Sequence, residues 1–242
     1  HAVEPFYKWH EYIDKIYFIF REDQEQEHSV TEYLKNNIIF ESDKIIPVII
    51  PHKTDGPMQT VLSALKKENI ENAIICDCDH KIYVDRLFKK IIETNFEKTV
   101  IPVWSINKSE SKNWSKIVVD DTKIINIVEK EDVDFKKYTI WGILGCIYFS
   151  STKYFFNAEG TYISDVCRNI LKTDNNLAFS TTEQAYFFGD PEMLENCINQ
   201  RRNECSFFFD IDGVLLKHDN NSTNDVEKNL PLIDNINILK DL

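Results

Sequence analysis

Carboxylates at the ends of apolar runs are the first feature of this sequence that could do chemistry. Ile74-Ile75-Cys76-Asp77-Cys78-Asp79-His80 runs from an apolar stretch into two carboxylates at i and i+2. If the stretch is a buried strand, its carboxyl end faces the ligand crevice of an open α/β sheet. Two carboxylates there can serve a hard divalent cation and the phosphates it carries. An ordinary acidic loop has the same letters, so other pieces have to agree with it. The same design recurs in Phe207-Phe208-Phe209-Asp210-Ile211-Asp212-Gly213-Val214-Leu215. There Asp210 could act as a nucleophile towards phosphorus and Asp212 as a general acid or base around a shared Mg²⁺. Gly213 permits the sharp turn that follows.

Two further stretches could serve a substrate. In Pro51-His52-Lys53-Thr54-Asp55-Gly56-Pro57-Met58-Gln59-Thr60-Val61-Leu62 a small turn opens a helix. Gly56 allows close backbone approach, and Thr54 and the helix N-terminus offer donors to an anion or a base edge. Glu129-Lys130 ends a strand-like run. A carboxylate accepts hydrogen bonds from substrate hydroxyls, and an adjacent ammonium neutralises a phosphate. Alone, such a pair is usually a solvated face.

The elements that must position these residues alternate. Lys15–Phe20, Lys44–Ile50, Ala73–Asp77 and Lys98–Ser105 read as strands. Ser29–Asn36 (with Ser29 as cap), Met58–Glu68 and Val84–Thr94 read as helices. Continuous apolar strands separated by helices predict a mainly parallel sheet covered on both faces. After Trp104 the rhythm changes. Trp114–Asp120 and Lys123–Glu129 flank an Asp-Asp-Thr turn and predict an antiparallel hairpin. Trp141–Phe149 reads as one more strand, with helices over Tyr162–Leu171 and Pro191–Asn199. We expect a domain boundary near Asn203, giving units 1–202 and 203–242, with both ends of the chain reading as cut.

The 242 residues are 43% hydrophobic and 28% charged, a balance that supports a buried core. Forty acidic against 28 basic side chains leave a charge of −12, which argues against a nucleic-acid partner. No run approaches the ~20 apolar residues of a membrane span. The six cysteines form no C-x-x-C pair, and reduced buried thiols in a cytoplasmic protein are the expectation.

In order and spacing, the region from Lys15 to Cys197 resembles the sugar-phosphate nucleotidyltransferases that make NDP-sugars, and their relatives that make CDP-choline-type products. Asp79 matches the family's strand-end aspartate. Gly56 and Thr60-Val61-Leu62 match its glycine turn and helix. Trp114-Ser115-Lys116, Glu129-Lys130, Gly145-Cys146-Ile147-Tyr148-Phe149 and Gly189-Asp190-Pro191-Glu192-Met193-Leu194 follow in the family's order. The resemblance implies a Rossmann-like, GT-A-type α/β fold, with a mixed sheet and helices on both faces. It also implies Mg²⁺ as cofactor, with Asp79 as catalytic metal ligand and Asp77 assisting at metal and nucleotide. Thr54 and Gly56 would hold the nucleotide, while Glu129, Lys130 and Gly145 would hold a phosphorylated acceptor, with Lys130 also catalytic. The nucleotide could be CTP, UTP or dTTP, and a homo-oligomer fits the family. The chain departs from the pattern in three ways. The Gly-rich, Arg-containing N-terminal loop and its following lysine have no counterpart. The glycine of the Tyr-Phe strand is displaced by one residue. The second metal aspartate, two residues before Gly189, is Phe187, leaving Asp190 or Glu183 as substitutes. From Phe207 onward the chain resembles motif one of the HAD superfamily, the beginning of a HAD-like α/β phosphatase domain. There the metal would sit on Asp210 and Asp212. Two rivals stand beside this reading. Asp77-Cys78-Asp79 is the D-x-D of GT-A glycosyltransferases, and the departures also fit a catalytically degenerate regulatory subunit.

Overall fold

A computed structural model describes residues 2–108, 111–182, 185–189 and 191–204, with the short pieces 216–217 and 230–231. The chain divides into two compact units, 1–190 and 191–242. The first opens with 3₁₀ turns over Glu4–Tyr12, kinked at Trp9. There follow β1 (Ile16–Arg21), α1 (Glu22–His28), α2 (Val30–Asn37), β2 (Ile45–Ile50) and α3 (Pro57–Leu65). Next come β3 (Ala73–Cys76), β4 (His80–Ile82), α4 (Asp85–Glu93) and β5 (Thr99–Ser105). The hairpin β6 (Ser115–Asp120) and β7 (Lys123–Glu129) precedes β8 (Thr139–Ile143) and β9 (Cys146–Phe149). The unit closes with α5 (Lys153–Asn157), α6 (Ile163–Thr173), β10 (Leu177–Thr181) and β11 (Ala185–Phe187). In the second unit, α7 (Pro191–Glu204) is followed by a short antiparallel pairing of β12 (Leu216–Lys217) with β13 (Leu230–Pro231).

The main sheet has seven strands in the order β3-β9-β5-β8-β6-β7, with β10 alongside β5. Alternate residues of its central strands face opposite ways, and this lays down two cores. On one face Ile101, Ile147 and Phe149 meet Met58 and Val61 of α3 and Val166 and Ile170 of α6. On the other, Val100 and Tyr148 meet Leu87, Phe88 and Ile91 of α4. The helices supply apolar residues three and four apart on one stripe. Each such fully buried aliphatic or aromatic side chain contributes about 1.5–3 kcal/mol. The sheet is therefore mixed and covered on both faces.

Three local expectations change. The main sheet is not mainly parallel: among the described residues its one parallel pair is β5 with β10, β1 and β2 pair parallel in a separate two-stranded sheet, and the antiparallel β9 lies between β3 and β5. An unbroken apolar run reports burial on both faces and not the direction of the neighbour. Trp141–Phe149 is two strands, broken at Leu144 and Gly145, because β8 runs beside β5 and β6 whereas β9 runs beside β3 and β5. Ser29 does not cap α2 with its side chain. It sits in the left-handed region (φ 49°) between α1 and α2, and the Glu25 carboxylate accepts from the Thr31 amide at 2.9 Å instead.

Candidate metal centre and acceptor face

The break at Gly145 shapes the site. Beyond the end of β3 the Asp77 amide donates to the Gly145 carbonyl at 2.7 Å, so the chain stays in register for one more residue. It then turns through Cys78 and Asp79 and re-enters extended structure at His80. There β4 pairs antiparallel with β11, with Phe187 directly opposite His80. The Phe188 amide donates to the Asp79 carbonyl at 2.8 Å and pins the far side of the turn.

This turn brings together one ligand atom each from Asp77, Asp79 and His80, all within 4.8 Å of one another. His80 Nδ1 lies 3.7 Å from Asp77 Oδ2, and Nε2 lies 3.6 Å from Asp79 Oδ1. The imidazole is only 14% exposed. Its Nδ1 is buried without a hydrogen-bond partner among the described residues. Two glycines leave room for the carboxylates. A Cβ on Gly145 would lie 1.8 Å from Asp77 Oδ2, and one on Gly189 would lie 2.6 Å from Asp79 Oδ2. Desolvation raises the Asp77 carboxyl above the ordinary carboxylate range; His80 pulls it down and Asp79 adds to the rise. A divalent cation would offset the repulsion between these carboxylates. An orphaned buried nitrogen, two carboxylate cradles and an O, O, N donor set fit such a cation.

Phe187 fills the position where the resemblance expects a second metal aspartate. Its ring stands edge-on to His80 at 4.8 Å between centroids and packs against Trp114 at 4.8 Å and Trp104 at 5.1 Å. One side of the turn is thus walled by aromatic rings. Asp190 and Glu183, the proposed substitutes, lie outside the described residues, as do Asp210, Asp212 and Gly213.

The second group gathers at the N-terminus of α6. Glu129 Oε2 accepts from the Ser115 hydroxyl, its partner across the hairpin, and from the Ser164 hydroxyl at 2.6 Å. Lys130 adopts a left-handed conformation (φ 51°) and sets its ammonium 5.5 Å from the centre of the Tyr162 ring. The Gly56 turn docks on the same segment, with the Met58 amide donating to the Thr161 carbonyl at 3.0 Å. Gly56 is needed there for space, since a Cβ would come within 2.2 Å of Thr161 Cγ2. The Thr54 hydroxyl is engaged within the turn, 2.6 Å from Thr60 Oγ1 and 3.1 Å from the Gly56 carbonyl. Residues 114 and 115 join the two groups, because Trp114 packs on Phe187 while Ser115 donates to Glu129. The buried Lys116 supports this bridge by donating to the Trp114 carbonyl at 3.1 Å.

Asp77 with Asp79, and Thr54 and Gly56 with Glu129 and Lys130, are therefore each brought together as groups. Gly145 sits with the first of these, under the Asp77 carboxylate. Sequence reasoning missed His80, although it adjoins Asp79. It also missed the hydroxyls of Ser115 and Ser164 and the aromatic wall. A further open cleft of about 380 Å³ lies at the carboxyl ends of β5 and β10, lined by Arg86, Trp104, Ser105, Trp141 and Thr181 among others. No helix among the described residues is long and apolar enough to cross a membrane.

A mixed sheet with helices on both faces makes the chain comparable in fold to the sugar nucleotidyltransferases. No protein-family model and no curated protein matches the sequence. Solved structures do match. A Bacillus anthracis protein assigned as a glucose-1-phosphate thymidylyltransferase, in complex with a sucrose, is 16% identical with a TM-score of 0.67, over 86% of this chain and 83% of its own. A nucleoside-diphosphate-sugar pyrophosphorylase from Vibrio cholerae is 16% identical, TM-score 0.62, over 83% and 86%. The UTP-bound UGPase of Acinetobacter baumannii is 13% identical, TM-score 0.61, over 84% and 83%. At these identities the likeness is one of fold.

Proposed function

We propose that the chain catalyses metal-dependent nucleotidyl transfer, joining the nucleotide of an NTP to a phosphorylated sugar, polyol or alcohol with release of pyrophosphate. The observation that carries this reading is the convergence of Asp77, Asp79 and His80 at the end of β3, in a fold shared with enzymes of that class. The acceptor phosphate is already a nucleophile. An oxygen of it attacks the α-phosphorus, the bond to the bridging oxygen breaks, and pyrophosphate leaves with that electron pair. Catalysis is then alignment and neutralisation of charge. A bound divalent cation supplies charge neutralisation at the phosphates. Asp77, Asp79 and His80 would hold it, the Gly56 turn would line the nucleotide pocket, and Glu129 and Lys130 would orient the acceptor. A role in surface-polysaccharide precursor synthesis fits such a product. The test is a screen of the protein with the four NTPs against sugar, polyol and alcohol phosphates, reading pyrophosphate release. Turnover with at least one pair is expected; none with any pair overturns the proposal.

A second reading rests on both carboxylates of the D-x-D standing on one turn: a glycosyltransferase using a nucleotide-sugar donor. Release of nucleoside diphosphate without pyrophosphate would favour it. For the segment Phe207 to Leu215 the proposal remains a phosphatase-type site on Asp210 and Asp212, carried by its sequence. Asp210→Asn should abolish phosphomonoester hydrolysis and leave pyrophosphate release intact.

A further inference from the structure

Resting on the reading of the β3–β4 turn as a metal centre, we infer that its cation is a first-row transition ion held through a nitrogen ligand, His80, and not a magnesium ion held by oxygen alone. Phe187 and His80 face each other across β11 and β4. A carboxylate at 187 would complete an all-oxygen set, which suits Mg²⁺. Phe187 offers no oxygen there and supplies an apolar ring instead. The imidazole on the opposite strand supplies a borderline nitrogen, the donor preferred by Zn²⁺ and its neighbours in the series.

The spacings agree. At 3.6 and 3.7 Å the His80 nitrogens are too far from the Asp79 and Asp77 oxygens for hydrogen bonds. Two donors each about 2.1 Å from one ion stand roughly 3.0–3.4 Å apart; one donor atom each of Asp77, Asp79 and His80 lie within 4.8 Å of one another, so the three would draw together on an ion. The Phe187 ring, edge-on at 4.8 Å, holds the imidazole from the side. Beside Asp77, His80 and Gly145 there is a cavity of about 10 Å³, on the scale of a single water.

Calorimetric titration of the full chain with MgCl₂, MnCl₂, CoCl₂ and ZnCl₂, for wild type, His80→Asn and Phe187→Asp, tests this. The quantity to read is the ratio of Co²⁺ to Mg²⁺ affinity, because oxygen-only sites also favour later ions. His80→Asn should lower Co²⁺ and Zn²⁺ affinity about 10–100-fold and leave Mg²⁺ nearly unchanged. Phe187→Asp should raise Mg²⁺ affinity. The visible spectrum of the wild-type Co²⁺ complex needs no variant to fold, and it should change on ligation relative to aqueous Co²⁺ and be insensitive to excess Mg²⁺. A wild type that binds Mg²⁺ as tightly as Co²⁺, or a folded His80→Asn with an unchanged Co²⁺-to-Mg²⁺ ratio, overturns the nitrogen assignment and leaves the metal centre standing. Absence of binding for every ion overturns the metal centre itself.

Discussion

Gly145→Ala separates metal binding from folding. The added Cβ would stand 1.8 Å from Asp77 Oδ2 and 2.6 Å from its Cγ. Non-bonded heavy atoms rest near ~3.5 Å, so the carboxylate must retreat by well over ~1 Å. Metal–ligand bonds tolerate displacements of about 0.2 Å, and the Asp77 ligand is lost. The Asp77 side chain is 47% exposed, so it can swing outward at little cost to the fold. Among the described glycines only Gly160 has a positive φ, so alanine suits the backbone at 145. Stability without metal should therefore change by no more than about 1 kcal/mol. Affinity for Mn²⁺ should fall about 10–100-fold, or about 1.4–2.8 kcal/mol. Calorimetric titration and thermal melts in EDTA read the two quantities separately. Wild-type Mn²⁺ affinity in the variant would show that the Asp77 carboxylate is not a ligand where it stands. A large loss of stability in EDTA would show that Gly145 serves packing and not the site.

Asp79→Asn should cut turnover about a hundredfold or more, the scale of losing one transition-state charge stabiliser; steady-state pyrophosphate release checks this, and Asp77→Asn should be the milder variant. Lys130→Ala, which removes an exposed ammonium beside Tyr162, should raise KM for the acceptor and leave NTP affinity unchanged by calorimetry. Desolvation holds the Lys116 ammonium below its ordinary value of 10.5, against Glu129, Asp132 and Glu131, which pull it up. The unfolded chain thus binds more protons in the window beneath 10.5, and stability rises with pH there. Denaturant melts should accordingly show wild type gaining on Lys116→Met as pH climbs towards 10.5. Phe149→Ala, at a wholly buried position under α5, should cost about 3–5 kcal/mol in the same melts.

Most elements were legible because their signals are local. The hairpin β6–β7 is written in two apolar runs around Asp120-Asp121-Thr122, and α4 and α6 in apolar residues three and four apart. The sheet's order was not legible. The place of β9 between β3 and β5 depends on partners far apart in the chain, and burial patterns do not record direction. The site was half legible. Asp77 and Asp79 could be read from a strand end, and Glu129 from a hairpin end. Gly145 acts through the volume it leaves empty for a residue on another strand. His80 gains its meaning from Phe187 across a ladder no local pattern predicts.

The turn that carries Asp77, Asp79 and His80 is fastened by two main-chain hydrogen bonds, Asp77 to Gly145 and Phe188 to Asp79. Neither bond depends on the identity of a side chain. Mutational drift can therefore rewrite the side chains of the turn while the loop that presents them keeps its course. On the proposed reading, a phenylalanine on one strand facing an imidazole on the next would set the chemistry of the ion without altering the fold. Under such drift glycines at 145 and 189 would persist longest, since each occupies a place where any larger residue would displace the Asp77 or Asp79 carboxylate.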